Sequence, residues 1–269
     1  MKKILFTLTV IALMTSCKKD EVSPEPMAEA TPVVNFMFQQ DYKGTSVTSA
    51  DFGATTYTNE KGTMHTITKL QYLVSNITLH KTNGEEVILG GYNFVDLTDS
   101  ESMLYTPTEN IPEGTYTGVS LTFGFTPTDN VNGAYPDLNA ASWSWPMMIG
   151  GGYHFMKFEG NFTNNMGNQT GFAYHNGTAS KMNPNGTRTS EANDFRVRLW
   201  DFEGGFEIKD GNKTTININM DIAEWFKSPI TWSLDDYHAM LMPNYTAQKM
   251  MNQNGRSVFS FGGVVYGPE

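Results

Sequence analysis

The sequence predicts an all-β protein: an antiparallel β-sandwich, immunoglobulin-like or jelly-roll-like, with long loops and one or two short helices. Three observations predict it. Apolar residues recur at every second position through most of the chain after Val33, turn residues interrupt them about every ten positions, and helical signals are few and short.

The chain opens on Lys2 and Lys3, an apolar run from Ile4 to Met14, then Thr15, Ser16 and Cys17. That run falls short of the roughly 20 apolar residues a membrane-spanning helix needs, and the layout is that of a secretory signal peptide over residues 1–16. Cys17 is the only cysteine in 269 residues. Its place after small residues is where a bacterial signal peptidase leaves a lipidated N-terminal cysteine; the plainer reading is an ordinary cleaved signal with a chance cysteine. A lipidated Cys17 implies a protein of the cell envelope, anchored on the periplasmic face of a membrane or on the cell surface. It leaves no thiolate for catalysis or metal binding and no disulfide within the chain. Residues 17–32, rich in Pro, Glu, Ala and Ser, read as an extended tether. Residues 33–269 show no repeat and no linker and are expected to form a single domain.

Within that domain, Asn83-Gly84 between LQYLVSNITLH and EEVIL and Asp210-Gly211 between GGFEI and TTININM predict two tight hairpins. Val119, Leu121, Phe123 and Phe125 alternate with small and polar residues, Phe195, Val197 and Leu199 with Arg196 and Arg198, and Ile216, Ile218 and Met220 with Asn217 and Asn219. Each set predicts a strand with one buried face. Asp221 with Glu224 can start a helical turn that Pro229 ends, Ser233 with Asp236 a second, and Thr246 to Met251 a third with Gly255 as stop. The polar stretches Thr126 to Ser142 and Asn161 to Asn193 are expected as loops.

A formal charge of −10 without a basic patch argues against nucleic acid as a partner. GxSxG, HExxH, the phosphate-cradling GxxxxGK[ST] and paired CxxC motifs are absent from the sequence, and the chain reads as a non-enzyme. Glu159, Asp201 and Glu203 supply carboxylates for a glycosidase-like pair but are better read as solvated strand-edge charges. Asp129, Asn130 and Asn132 before Gly133 suit an Asx turn better than a calcium loop.

The soft donors that remain are imidazole and thioether, the groups suited to copper once cysteine is excluded. His154 and Met156 stand at i and i+2 in WSWPMMIGGGYHFMKFEG, which puts both on one face of a strand. His175 lies in FAYHNG, which a hairpin from the 154–159 strand can bring alongside. His80 ends a strand, and His238, Met240 and Met242 share a face only if their segment is extended. The competing reading is that the sixteen methionines fill core gaps and the histidines are structural.

LQYLVSNITLH, IPEGTYTGVSLTFGF, WSWPMMIGGGYHFMKFEG and FAYHNG, followed by a short helix before SVFSF, resemble the MbnP-like family from about Val33 to Phe261. Its members are secreted or lipid-anchored and are associated with copper binding and with methanobactin. The resemblance implies a β-sandwich that holds copper through histidines, in some relatives with a tryptophan oxidised to kynurenine by a partner dihaem peroxidase. It puts the ligands at His175 first, His154 second and His80 third. The Trp-x-His of related copper proteins does not occur in this sequence, and Trp143 and Trp145 are the tryptophans nearest the candidate ligands. The expected function is a copper-binding lipoprotein for metal handling, with copper as its ion and a dihaem peroxidase as its partner. The alternative is a β-sandwich module that binds a protein or glycan without a metal.

Overall fold

Period-two alternation becomes strands wherever a partner is available, and the computed structural model, which describes residues 32–200 and 204–268, resolves sixteen of them. They are β1 (Val33–Tyr42), β2 (Thr45–Ser46), β3 (Thr56–Thr58), β4 (Met64–Lys81), β5 (Glu86–Ile88), β6 (Tyr92–Asp96), β7 (Leu104–Tyr105) and β8 (Gly114–Phe123). After α1 (Pro136–Ala140) come β9 (Met156–Thr163), β10 (Gln169–Asn176), β11 (Ala179–Met182), β12 (Arg188–Glu191), β13 (Phe195–Trp200), β14 (Phe206–Ile208) and β15 (Asn212–Asp221). Helix α2 (Tyr245–Gly255) and β16 (Phe259–Pro268) complete the described chain. Cys17 and the expected leader and tether, up to residue 31, lie outside the described residues, as do Asp201 and Glu203. No described helix is long and apolar enough to cross a membrane.

The strands form a sandwich. One sheet runs β16-β15-β1 with β2 and β7 on the far edge of β1, and the other is built around β4, a strand of 18 residues. β4 pairs with β9 over His65–Tyr72 and with β8 over Val74–Lys81, while β3, β6 and β5 take further stretches of it. The partner changes at Leu73, whose N–H donates to Phe155 O and whose carbonyl accepts from Gly124 N. Apolar faces then meet between the sheets: Phe38 packs on Tyr72, and Phe259 on both Tyr72 and Phe123, with ring centres 6.0–6.4 Å apart. All three predicted strands are present, and their apolar residues are buried.

The local expectations are met in part. The Asn83-Gly84 hairpin forms between β4 and β5, with Gly84 at φ 89°. Asp210-Gly211 does not close a hairpin: β14 pairs with β8 and β15 with β1 and β16, so this turn carries the chain from one sheet to the other. The β1–β15 pairing is parallel, which alternation alone does not distinguish from antiparallel. Residues Asn161–Asn193 hold β10, β11 and β12, because their polar side chains face outward while Phe172 and Tyr174 alternate inward. Asp221 caps a 3-10 turn (Ile222–Phe226). The Ser233 segment is a turn and no more, while α2 ends at Gly255 as expected, that glycine lying against Phe195 and Trp225.

Candidate metal centre

Three consecutive glycines start the site. Gly150, Gly151 and Gly152 have φ of 121°, 66° and 83°, backbone that other residues rarely adopt, and they fold the Trp143–Gly152 segment back on itself. Trp145 N donates to Gly152 O at 2.8 Å and His154 N to Trp143 O at 2.9 Å. This reversal sets both indoles against His154, with ring centres 5.5 Å (Trp143) and 4.9 Å (Trp145) away. Strands β9 and β10 then pair antiparallel with His175 opposite Lys157, while Phe155 N donates to Asn176 O at 2.8 Å. The outcome is an imidazole pair: His154 and His175 have ring centres 5.4 Å apart and planes at 81°. His154 precedes β9, so it reaches the pair from a loop; it does not share a strand face with Met156.

Each ring has one nitrogen already committed. His154 Nδ1 lies 2.9 Å from the Trp143 carbonyl, which only accepts, so Nδ1 carries the hydrogen. Burial lowers the His154 pKa to about 3, so the ring is neutral near pH 7 and its Nε2 holds the lone pair. His175 Nε2 lies 2.9 Å from Glu159 Oε1. That hydrogen bond, with help from Lys69 at 3.4 Å, lowers the Glu159 pKa to about 2, so the carboxylate is ionised and accepts from Nε2–H. In neutral His175 the lone pair therefore sits on Nδ1. A partner on one nitrogen that fixes the tautomer and leaves the other basic is the usual arrangement around metal-binding histidines.

The backbone carrying His175 is gripped from two sides. Buried Gln248 of α2 donates through Nε2 to His175 O at 2.7 Å and accepts from Gly177 N at 3.2 Å, while Asn193 Nδ2 donates to Gly177 O at 3.0 Å. Trp145 closes against Gly177 from the other side.

The remaining candidates lie elsewhere. His175 faces Lys157, which faces Gln71 of β4, and His80 is nine residues further along that strand, roughly 30 Å away at about 3.3 Å per residue. Both His80 nitrogens are engaged, Nε2 with Ser120 Oγ at 2.8 Å and Nδ1 with Glu86 at 3.2 Å. Expected as the third ligand, His80 is not brought to the pair. The Ser120–His80–Glu86 chain has triad-like distances. However, Ser120 is fully buried in mid-strand, and its hydroxyl also accepts from Arg196 Nη2. His238 bonds Leu234 O through Nδ1 in an irregular segment, where Met240 is exposed, so the extended His238–Met242 face does not form. Asp129 accepts from Asn76 and Thr126 as a turn residue. Among the described residues no group of three or more histidine, cysteine or carboxylate side chains gathers around a metal-sized space, so the candidate is a two-imidazole centre.

Glu159 as the partner of His175, and Gln248 as its clamp, were not assigned from the sequence. Glu159 sits two residues from Lys157 on the same face of β9, a visible signal, but only the β9–β10 register places it beside a histidine.

Comparison with known proteins agrees with this architecture. A family model described as MbnP matches residues 31–245. The solved structure of MbnP from Methylosinus trichosporium superposes with a TM-score of 0.51 at 15% identity, covering 88% of this chain and 99% of that one, a likeness of fold. No curated protein matches the chain.

Proposed function

Because the chain belongs to the MbnP family, we propose that it is a non-catalytic copper-binding protein of the cell envelope, and that His154 and His175 hold the ion. The observation that carries this reading is the ring pair itself, 5.4 Å between centres, with one nitrogen of each ring held by an acceptor. A metal–nitrogen bond of about 2.0–2.1 Å to each of two imidazoles puts the ring centres roughly 5–6 Å apart. The donors fit the ion: imidazole suits copper, and two neutral ligands in a largely buried place favour the lower charge of Cu(I), because desolvation cost grows with ionic charge. Glu159 would orient His175 and raise its basicity, the Trp143 carbonyl would do the same for His154, and the two indoles would keep water away from the ion.

Copper would be cargo here, held for handling and not for turnover, on a domain tethered by Cys17. A dihaem peroxidase is the partner this reading names. Trp143 and Trp145 are the side chains it would address, and mass analysis of native protein for an oxidised tryptophan checks that part.

The main test is chelator competition with Cu(I) on the purified domain. His154→Ala and His175→Ala are each expected to weaken binding by about 100-fold or more, Glu159→Gln by about 10–100-fold, and His80→Ala by less than about threefold. Stoichiometric copper that survives both ligand substitutions, or its absence in the wild type, would pass the chain to the alternative of a metal-free binding module.

A further inference from the structure

Lys157 is half-buried beside the imidazole pair, and the reading above gives it no role. It stands directly opposite His175 across the β9–β10 ladder, so the two side chains leave the same face with Cβ atoms about 5 Å apart. Its Nζ donates to Ser142 O at 2.9 Å and rests 4.8 Å from the centre of the Trp143 ring, the ring that also packs on His154. Burial lowers its pKa, the mark of an ammonium taken partly out of water. The neighbouring charges do not neutralise it directly. Glu159 is engaged by Lys69 at 3.4 Å and by His175, and among the described residues Lys157 makes no ion pair with a carboxylate. Lys69 and Glu159 offset each other, which leaves one fixed positive charge next to the imidazole pair.

We propose that Lys157 sets the charge selectivity of the His154–His175 pair, so that it accepts a monovalent soft cation and disfavours divalent zinc or copper. The proposal rests on the two-imidazole reading and adds what chooses the ion. Repulsion from a fixed ammonium grows with the charge of the bound ion, so a divalent ion meets twice what a monovalent one does. At an effective dielectric near 20 and a separation of roughly 10 Å, each unit of charge is worth about tenfold in affinity.

Cu(I) and Zn(II) affinities measured by chelator competition on the purified domain test this. Lys157→Met keeps the aliphatic stem on Trp143 and removes the charge, Lys157→Gln is a second neutral variant should the first fold poorly, and Lys157→Arg keeps the charge. Lys181→Met makes the same change in net charge on β11, where Nζ lies 5.9 Å from the centre of the Tyr245 ring. In the neutral variants Zn(II) affinity is expected to rise about tenfold more than Cu(I) affinity, with the ratio unchanged in Lys157→Arg and Lys181→Met. Zinc gained by Lys157→Met and lost again in the Lys157→Met/His154→Ala double variant upholds the proposal even if the wild type holds no copper; that outcome sinks only the copper reading. Copper bound by the wild type with an unmoved zinc-to-copper ratio in the neutral variants overturns the proposal alone, and an equal shift in Lys181→Met overturns it as a general charge effect.

Discussion

Gly177→Ala is expected to lower folding stability by about 2–3 kcal/mol and to weaken copper binding together with it. A Cβ at this position would stand 2.5 Å from Trp145 Cε3, 2.7 Å from Cδ2 and 2.8 Å from Cζ3, all atoms of a rigid ring. Neither side has room to yield. Trp145 is 1% exposed and its Nε1 donates to Ile149 O, while the Gly177 backbone is held by Gln248 and Asn193. Any retreat of Trp145 disturbs His154, whose ring centre is 4.9 Å away. Gly171→Ala is the matched control: it lies on β10 like His175, and its Cβ would meet nothing nearer than 3.8 Å, so a change within about 0.5 kcal/mol is expected. Urea midpoints and Cu(I) competition on both variants check the pair, and equal effects at the two glycines would refute the clamp.

Lowering the pH from 7 to 5 is expected to remove about 4 kcal/mol of stability through two buried histidines, about 2 kcal/mol each. His154 has its pKa lowered to about 3 and His65 to about 4, burial being the largest cause in both. The sign follows from proton counting. Above pH 6.5 both rings are neutral in the folded and unfolded chain and contribute nothing. Below it the unfolded chain binds protons that the folded chain refuses, so stability falls until the folded values are reached and then levels off. Glu159, lowered to about 2, acts in a different window: its stabilisation is present above its ordinary carboxylate range and is lost only as pH falls toward 2. His65 packs among Tyr42, Tyr57, Phe172 and Phe226, and its Nε2 is buried without a hydrogen-bond partner. His65→Phe is therefore expected to remove about half of the slope between pH 7 and 5 and to raise stability at pH 7 by about 1 kcal/mol or more. Denaturant titrations at several pH values measure both quantities, and a slope unchanged by this substitution would contradict the assignment.

Much of the sandwich was legible in the sequence. Alternation at Val119–Phe123, Phe195–Leu199 and Ile216–Met220 marks buried faces because side chains on a strand point to opposite sides by geometry alone. Asn83-Gly84 marks its hairpin because the turn needs positive φ. Asp210-Gly211 carries the same local signal and serves a different connection, since a turn residue specifies the bend and not the strand that receives the chain. The stretch after Asn161 looked like a loop because its outward face is polar, and its strands depend on pairing with β9.

The candidate site divides in the same way. Residue chemistry and spacing by themselves determined that the soft donors are imidazoles and thioethers, and that a hairpin can set His175 beside the His154 segment. Only the tertiary structure decided that these two rings meet, that His80 is spent on Ser120 and Glu86 some 30 Å along β4, and that Glu159, Gln248 and Lys157 surround the pair. The reason is register. A side chain's direction follows from its own backbone, but what it faces depends on how distant segments align, and a slip of one residue between β9 and β10 would turn His175 away from Lys157 and Glu159 altogether.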